Sequence, residues 1–184
     1  MPINLKKIWP NPKERSCVSF SKEFDFMPNV LGILKDLNIR HYEKILDIGA
    51  YRNEAVETLR NNGYINAVGI DIDPEIEKSP FGRCINFRDL PLNDNYRVIY
   101  FNQILVHFAG EKLAKKNRPP LQLFANKIFL HLLPKGYLIF SDCANNKEKF
   151  EECLVRIGLN NICSSIEHAP NSRKPIIVPV YQKD

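Results

Sequence analysis

The sequence predicts an α/β protein built on a doubly wound, mostly parallel seven-stranded sheet with an antiparallel edge strand. Three observations carry that expectation. Ile45, Leu46 and Ile48 form a short apolar run between Lys44 and Gly49, the pattern of a fully buried strand. The next segment, Glu54 to Asn62, places Ala55, Val56 and Leu59 at helical spacing, so a strand turns sharply at a glycine into a helix. Apolar runs and helical stretches then alternate as far as Asp142, as parallel pairing with crossover helices requires.

A chain of 184 residues is long enough for one domain with a proper core. Its 44% hydrophobic and 26% charged residues are ordinary for a globular protein. The net charge of +5 permits an anionic partner without demanding one. Five scattered cysteines with no Cys-x-x-Cys argue against a disulfide framework or structural zinc and for a reducing compartment. Met1 to Lys7 has no apolar core of signal-peptide type, and no run of about 18 apolar residues occurs. A cytoplasmic protein that spans no membrane is expected.

Residues 1–28 read as an N-terminal arm and 29–184 as the sheet domain. In the arm, Trp9-Pro10-Asn11-Pro12 cannot continue a regular helix. Lys6, Lys7, Lys13 and Arg15 make it basic, and Trp9, Phe20, Phe24 and Phe26 make it apolar as well. Such an arm either packs over the sheet edge or closes as a lid on a pocket. From Asn29, Val30, Leu31, Leu34 and Leu37 have helical periodicity.

The second strand is expected over Ala67 to Ile72, stopped by Asp73-Pro74, and a short third over Arg83 to Phe87. The fourth, Tyr96 to Asn102, is rich in β-branched and aromatic residues. A connection containing Lys112, Lys115, Lys116 and Arg118 follows, readable as a solvated face or as a seat for an anionic acceptor. Pro119-Pro120 opens a helix with Leu121, Phe124, Ile128 and Leu132 on one face, and Pro134-Lys135-Gly136 breaks it. The fifth strand is Tyr137 to Asp142. A helix with Phe150, Leu154 and Ile157 as its apolar side ends at Gly158. Ile162 to Glu167 and Ile176 to Tyr181 read as a final antiparallel pair at the edge.

Asp47, Asp71 and Asn102 thus end three strands, and right-handed crossovers put those ends on one side of the molecule. An acid 22 residues past Gly49 suits the two hydroxyls of a ribose. The first turn would approach a ligand with its backbone, and the helix behind it offers free N–H groups. The pattern describes a site for a nucleoside-containing cofactor.

On these residues the chain resembles the class I (Rossmann-like) S-adenosylmethionine-dependent methyltransferases, over roughly Ile45 to Asp142. Leu46-Asp47-Ile48-Gly49 resembles that family's first motif, Val68-Gly69-Ile70-Asp71 its second and Asn86 to Leu92 its third. Asn102 to Phe108 is similar to the segment ending the fourth strand, and Leu133 to Leu138 to the proline-glycine turn before the fifth. The resemblance implies S-adenosyl-L-methionine as cofactor. It places Asp47 and Gly49, in one turn with Ala50 and Tyr51, at the methionine end. Asp71 falls on the ribose hydroxyls, Ile72 against the adenine, and Asn86 and Phe87 at the adenine edge. Asn102 and Gln103 line the floor near the methyl group, and His107 is the candidate base or acceptor contact. The bland reading of His107 is a helix-face surface histidine. His41, His131 and His168 have no comparable position.

The family has glycine where this chain has Tyr51 and Asn53. Asparagine tolerates a left-handed backbone and caps helices well. The Tyr51 side chain must swing outward or occupy space that the cofactor needs. Asn102-Gln103-Ile104-Leu105 lacks the Pro-Pro-aromatic signature of amino-directed nucleic-acid methyltransferases, and no cysteine follows a proline as cytosine methylation would need. The resemblance is therefore nearer the small-molecule branch. Two readings stand: a methyltransferase with a small-molecule acceptor, and a catalytically inactive methyltransferase-like binding or scaffold protein. RNA methylation, resting on mild basicity, is a minor third.

Overall fold

The computed structural model describes residues 27–102, 104–105, 120–141, 146–167 and 176–184. Seven strands form one sheet in the order β3-β2-β1-β4-β5-β7-β6. They are β1 (Ile45–Ile48), β2 (Ala67–Asp71), β3 (Gly82–Cys84), β4 (Tyr96–Asn102), β5 (Leu132–Ser141), β6 (Leu159–Glu167) and β7 (Ile176–Lys183). The first five run parallel, and β7 reverses direction between β5 and β6. The antiparallel departure falls at the expected edge of the sheet, with β6 outermost. Among the described residues four α-helices accompany it: α1 (Met27–Asp36), α2 (Glu54–Asn61), α3 (Leu121–His131) and α4 (Lys147–Arg156). Among the described residues, no helix is long and apolar enough to cross a membrane. Of the expected arm, only Met27 and Pro28 are described, and they open α1; the rest lies outside the described residues.

Among the described residues each face of the sheet is covered by two helices, which is why its central strands are mostly apolar. On one face Leu46, Ile48, Phe101 and Phe140 pack against Phe124 and Ile128 of α3 and Phe150 and Leu154 of α4. Phe101 stacks on Phe140 with centroids 5.1 Å apart, and Phe124 on Phe150 at 5.5 Å. On the other, Ile45, Val98, Tyr100 and Ile139 meet Val30 and Leu34 of α1 and Val56 and Leu59 of α2.

Several boundaries moved for local reasons. β3 stops at Cys84, short of the expected Phe87. Asn86 turns the chain there, its side chain accepting from the Arg88 N–H at 3.1 Å at the start of a 3-10 turn over Phe87–Asp89. β5 begins at Leu132, five residues before the expected start, and carries the proline-glycine turn inside it with Lys135 at φ 59°. α3 ends where the Lys183 ammonium donates to the Phe129 and Leu132 carbonyls, each at 2.8 Å. This satisfies acceptors that a helix end otherwise leaves open. Gly158, at φ 91°, closes α4 as expected. His131 is closed to solvent, with Nδ1 2.6 Å from the Asp94 carbonyl, and burial holds its pKa below the usual imidazole value. Its part is structural.

Candidate functional site

Register puts the polar strand ends together. Asp47 sits level with Gly69 of β2 and Tyr100 of β4, and Ile48 with Ile70 and Phe101. Side chains alternate along a strand, so Asp47, Asp71, Tyr100 and Asn102 share the sheet face covered by α1 and α2. Asp71 and Asn102 lie one step beyond Ile48, on either side of the turn that begins at Gly49. The expected convergence of Asp47, Asp71 and Asn102 at the carboxyl edge is therefore what the topology produces.

The turn from Gly49 to Asn53 is held by its own backbone. Gly49 and Ala50 both donate to the Ile70 carbonyl, at 2.8 and 3.1 Å, and Asn53 donates to the Ala50 carbonyl at 2.7 Å. The Tyr51 N–H donates to Asp71 Oδ2 at 3.0 Å. These four N–H groups face the protein, and the first turn of α2, whose N-cap residue makes no side-chain capping bond, holds further donors for a ligand.

The φ angles of Gly49, Tyr51 and Asn53 are 78°, 47° and 66°. The three alternate positions thus keep the left-handed backbone that glycine adopts freely, although two carry side chains. For tyrosine this conformation costs on the order of 1–2 kcal/mol. The Tyr51 ring is half-buried, with the Arg52 guanidinium carbon 5.2 Å from its centroid. It is not enclosed in the core. At Gly49 the absence of a side chain makes room for Ile104, whose Cδ1 would lie 2.8 Å from a Cβ there.

Asn53 is wholly buried. Its Nδ2 donates to Ser79 Oγ at 3.0 Å, and its Oδ1 has no partner among the described residues. The side chain lies over Gly69, where a Cβ would collide with Asn53 Oδ1 and come within 2.7 Å of the Ala50 Cβ. Gly69 is thus the hollow into which the turn packs. We expect Gly69→Ala to lower stability by about 1–3 kcal/mol through overpacking, read as a fall in the urea midpoint. An unchanged midpoint would show that Asn53 moves aside freely.

Asp71 is 7% exposed, and its Oδ1 accepts from the Asp73 N–H at 2.8 Å while Oδ2 holds Tyr51. Asp47 is 5% exposed, and burial pushes its carboxyl pKa up to about 7. The neighbouring Tyr100 hydroxyl opposes that shift, and the nearby Asp71 charge adds to it. Asn102 Oδ1 is buried without a hydrogen-bond partner among the described residues.

The remaining candidates fall differently. Ile72 is half-buried just past β2. Asn86 acts as the cap described above, and Phe87 turns into the core, edge-on to Phe124 at 5.5 Å. Gln103, His107 and the basic connection Lys112 to Arg118 lie outside the described residues. The sequence reading missed Tyr100 and Gly69. A lone hydroxyl inside an apolar strand and a glycine inside another were the available signals.

No family model matches the sequence, and no curated protein matches it. Solved structures do match in fold. One is 1,6-didemethyltoxoflavin-N1-methyltransferase of Burkholderia thailandensis, with bound 1,6-didemethyltoxoflavin and S-adenosylhomocysteine; identity is 14%, TM-score 0.67, and 89% of this chain and 80% of that one are covered. A second is the N-methyltransferase NodS of Bradyrhizobium japonicum in complex with S-adenosylhomocysteine, at 11% identity and TM-score 0.64, covering 85% of both chains. A third, a TehB-like SAM-dependent methyltransferase of Corynebacterium glutamicum, has 19% identity and TM-score 0.62 over 83% of this chain and 86% of that one. The chain has the class I methyltransferase fold.

Proposed function

We propose that this protein is an S-adenosylmethionine-dependent methyltransferase acting on a small-molecule acceptor. The observation that supports this reading best is the sign of charge around the first turn. Asp47 and Asp71 lie behind it, and Glu54 and Glu57 fill the first turn of α2. A helix N-terminus that receives a phosphate does so by attracting an anion. Here Asp71, Glu54 and Glu57 oppose that, and Asp47 adds a carboxyl that ionises toward a cation, which disfavours a phosphate-bearing ligand and favours one with cationic ends. S-adenosylmethionine has two, an ammonium and a sulfonium.

The residues fit such a group. Asp47 would take the ammonium, Asp71 the ribose hydroxyls with its remaining lone pairs, and Ile72 the adenine face. Asn102 Oδ1, buried and unpartnered among the described residues, supplies an acceptor near the methionine portion. When bound, the cofactor offers an electrophilic methyl group for in-line displacement. The contribution of the chain is to fix the two reactants and exclude water, which can supply much of the rate. Gln103 and His107 are proposed for the acceptor side, His107 as base where the acceptor needs one. The fold resemblance to enzymes acting on small molecules supports the acceptor class.

The second reading, a catalytically inactive binding or scaffold protein, draws on Tyr51, whose side chain stands where close approach to the ligand calls for glycine. A urea titration with S-adenosylhomocysteine separates the two. Ligand at 100 times its dissociation constant should add about 2.7 kcal/mol to the unfolding free energy. No change at millimolar ligand would favour the scaffold.

A further inference from the structure

Tyr100 is 1% exposed in the middle of β4 and level with Asp47 on the same face of the sheet. A buried hydroxyl normally finds a partner. Among the described residues this one forms no bond of good distance and angle, although it is near enough to Asp47 to be felt by it. Two electrostatic facts bear on this pair. Burial and the Asp47 charge hold the phenol pKa well above its usual value, so Tyr100 is a donor toward a carboxylate at every working pH. The carboxyl is buried and has Asp71 as a like-charged neighbour, so it has little tendency to ionise while no cation faces it.

We propose that Tyr100 is a positioning residue of the cofactor site: its hydroxyl closes on Asp47 when that carboxyl ionises, holding it as the anion that pairs with the ligand's ammonium. This rests on the methyltransferase reading above. In the closing step the Asp47 O–H bond breaks and its proton leaves to solvent. The Tyr100 O–H keeps its proton and gains a charge-assisted hydrogen bond, of the stronger kind. The groups that face Asp47 across the sheet are Tyr100 from β4 and Asp71 from β2. The same face of the sheet is covered by Val30, Leu34, Val56 and Leu59 of α1 and α2, which are apolar, and the Asn53 amide at the head of α2 is engaged with Ser79. Among these, Tyr100 is the side chain that favours the charged carboxyl by donating a hydrogen bond.

The test is Tyr100→Phe, which keeps the ring and removes the hydroxyl. The dissociation constant for S-adenosylhomocysteine should be measured by calorimetry from pH 5.5 to 9. For the native protein, affinity should rise with pH and level off once Asp47 is ionised. In the variant the midpoint of that rise should move about one pH unit upward, with affinity at pH 7 falling about fivefold. A structural role alone would lower the melting temperature and leave the pH midpoint in place, and that result overturns the proposal. If the native protein binds no S-adenosylhomocysteine, the cofactor reading fails, and the coupling is read without ligand. Carbon NMR of the Asp47 carboxyl should then titrate at higher pH in Tyr100→Phe than in the native protein. An unmoved titration overturns the pairing itself.

Discussion

Asp47→Asn should make the protein more stable, and the gain should depend on pH. A carboxyl whose pKa rises from 3.8 in the unfolded chain to about 7 in the folded one binds more protons folded than unfolded between those values. Stability therefore falls as pH climbs through that window, and the full loss, on the order of 4 kcal/mol, is in place above pH 7. Asparagine has nothing to ionise. The variant's advantage should be near zero at pH 4, grow up to pH 7 and stay level beyond it. Urea unfolding at four pH values, native against variant, reads this directly. A difference that stays flat across them would show that Asp47 ionises in the folded state as it does in the unfolded one. His131 slopes the other way, since a buried neutral imidazole loses stability on acidification, but it is common to both proteins and cancels. The same substitution should weaken S-adenosylhomocysteine binding by removing the partner of its ammonium.

Asp71→Ala should destabilise by about 2–4 kcal/mol. Both carboxylate oxygens receive backbone donors, Tyr51 N–H on Oδ2 and Asp73 N–H on Oδ1, and alanine leaves each without a partner in a partly buried position. The loss falls on the turn that begins at Gly49, so ligand binding should fail along with stability. Asp71→Asn retains one acceptor oxygen and should fall between the two. Urea midpoints for the three proteins give the order. An alanine variant as stable as the native chain would mean that the turn stands without this anchor.

The strand ends were legible because each of the central strands is a short apolar run closed by a polar residue or glycine, and buried parallel strands cannot look otherwise. Asp47, Asp71 and Asn102 follow from that, and the sheet's order carries them to one edge. What was not legible depended on contacts between distant segments. Phe87 looked available for a ligand until α3, some 35 residues on, supplied Phe124. Asn86 caps its own 3-10 turn, a role that depends on where β3 stops. Tyr100 gains its meaning from lying beside Asp47, which needs the order β2-β1-β4, and Asn53 gains its own from the hollow over Gly69. Periodicity reports which residues are buried and leaves open what they are buried against.

The run of left-handed residues at 49, 51 and 53 carries one more consequence. The shape associated with three glycines is kept here with a single one, enforced by anchors at Ile70 and Asp71. What persists is a set of dihedral angles, and the letters that commonly encode it are exchangeable once neighbouring groups hold the chain in place. Side chains at 51 and 53 are thereby accommodated at a turn whose backbone alone would favour glycine.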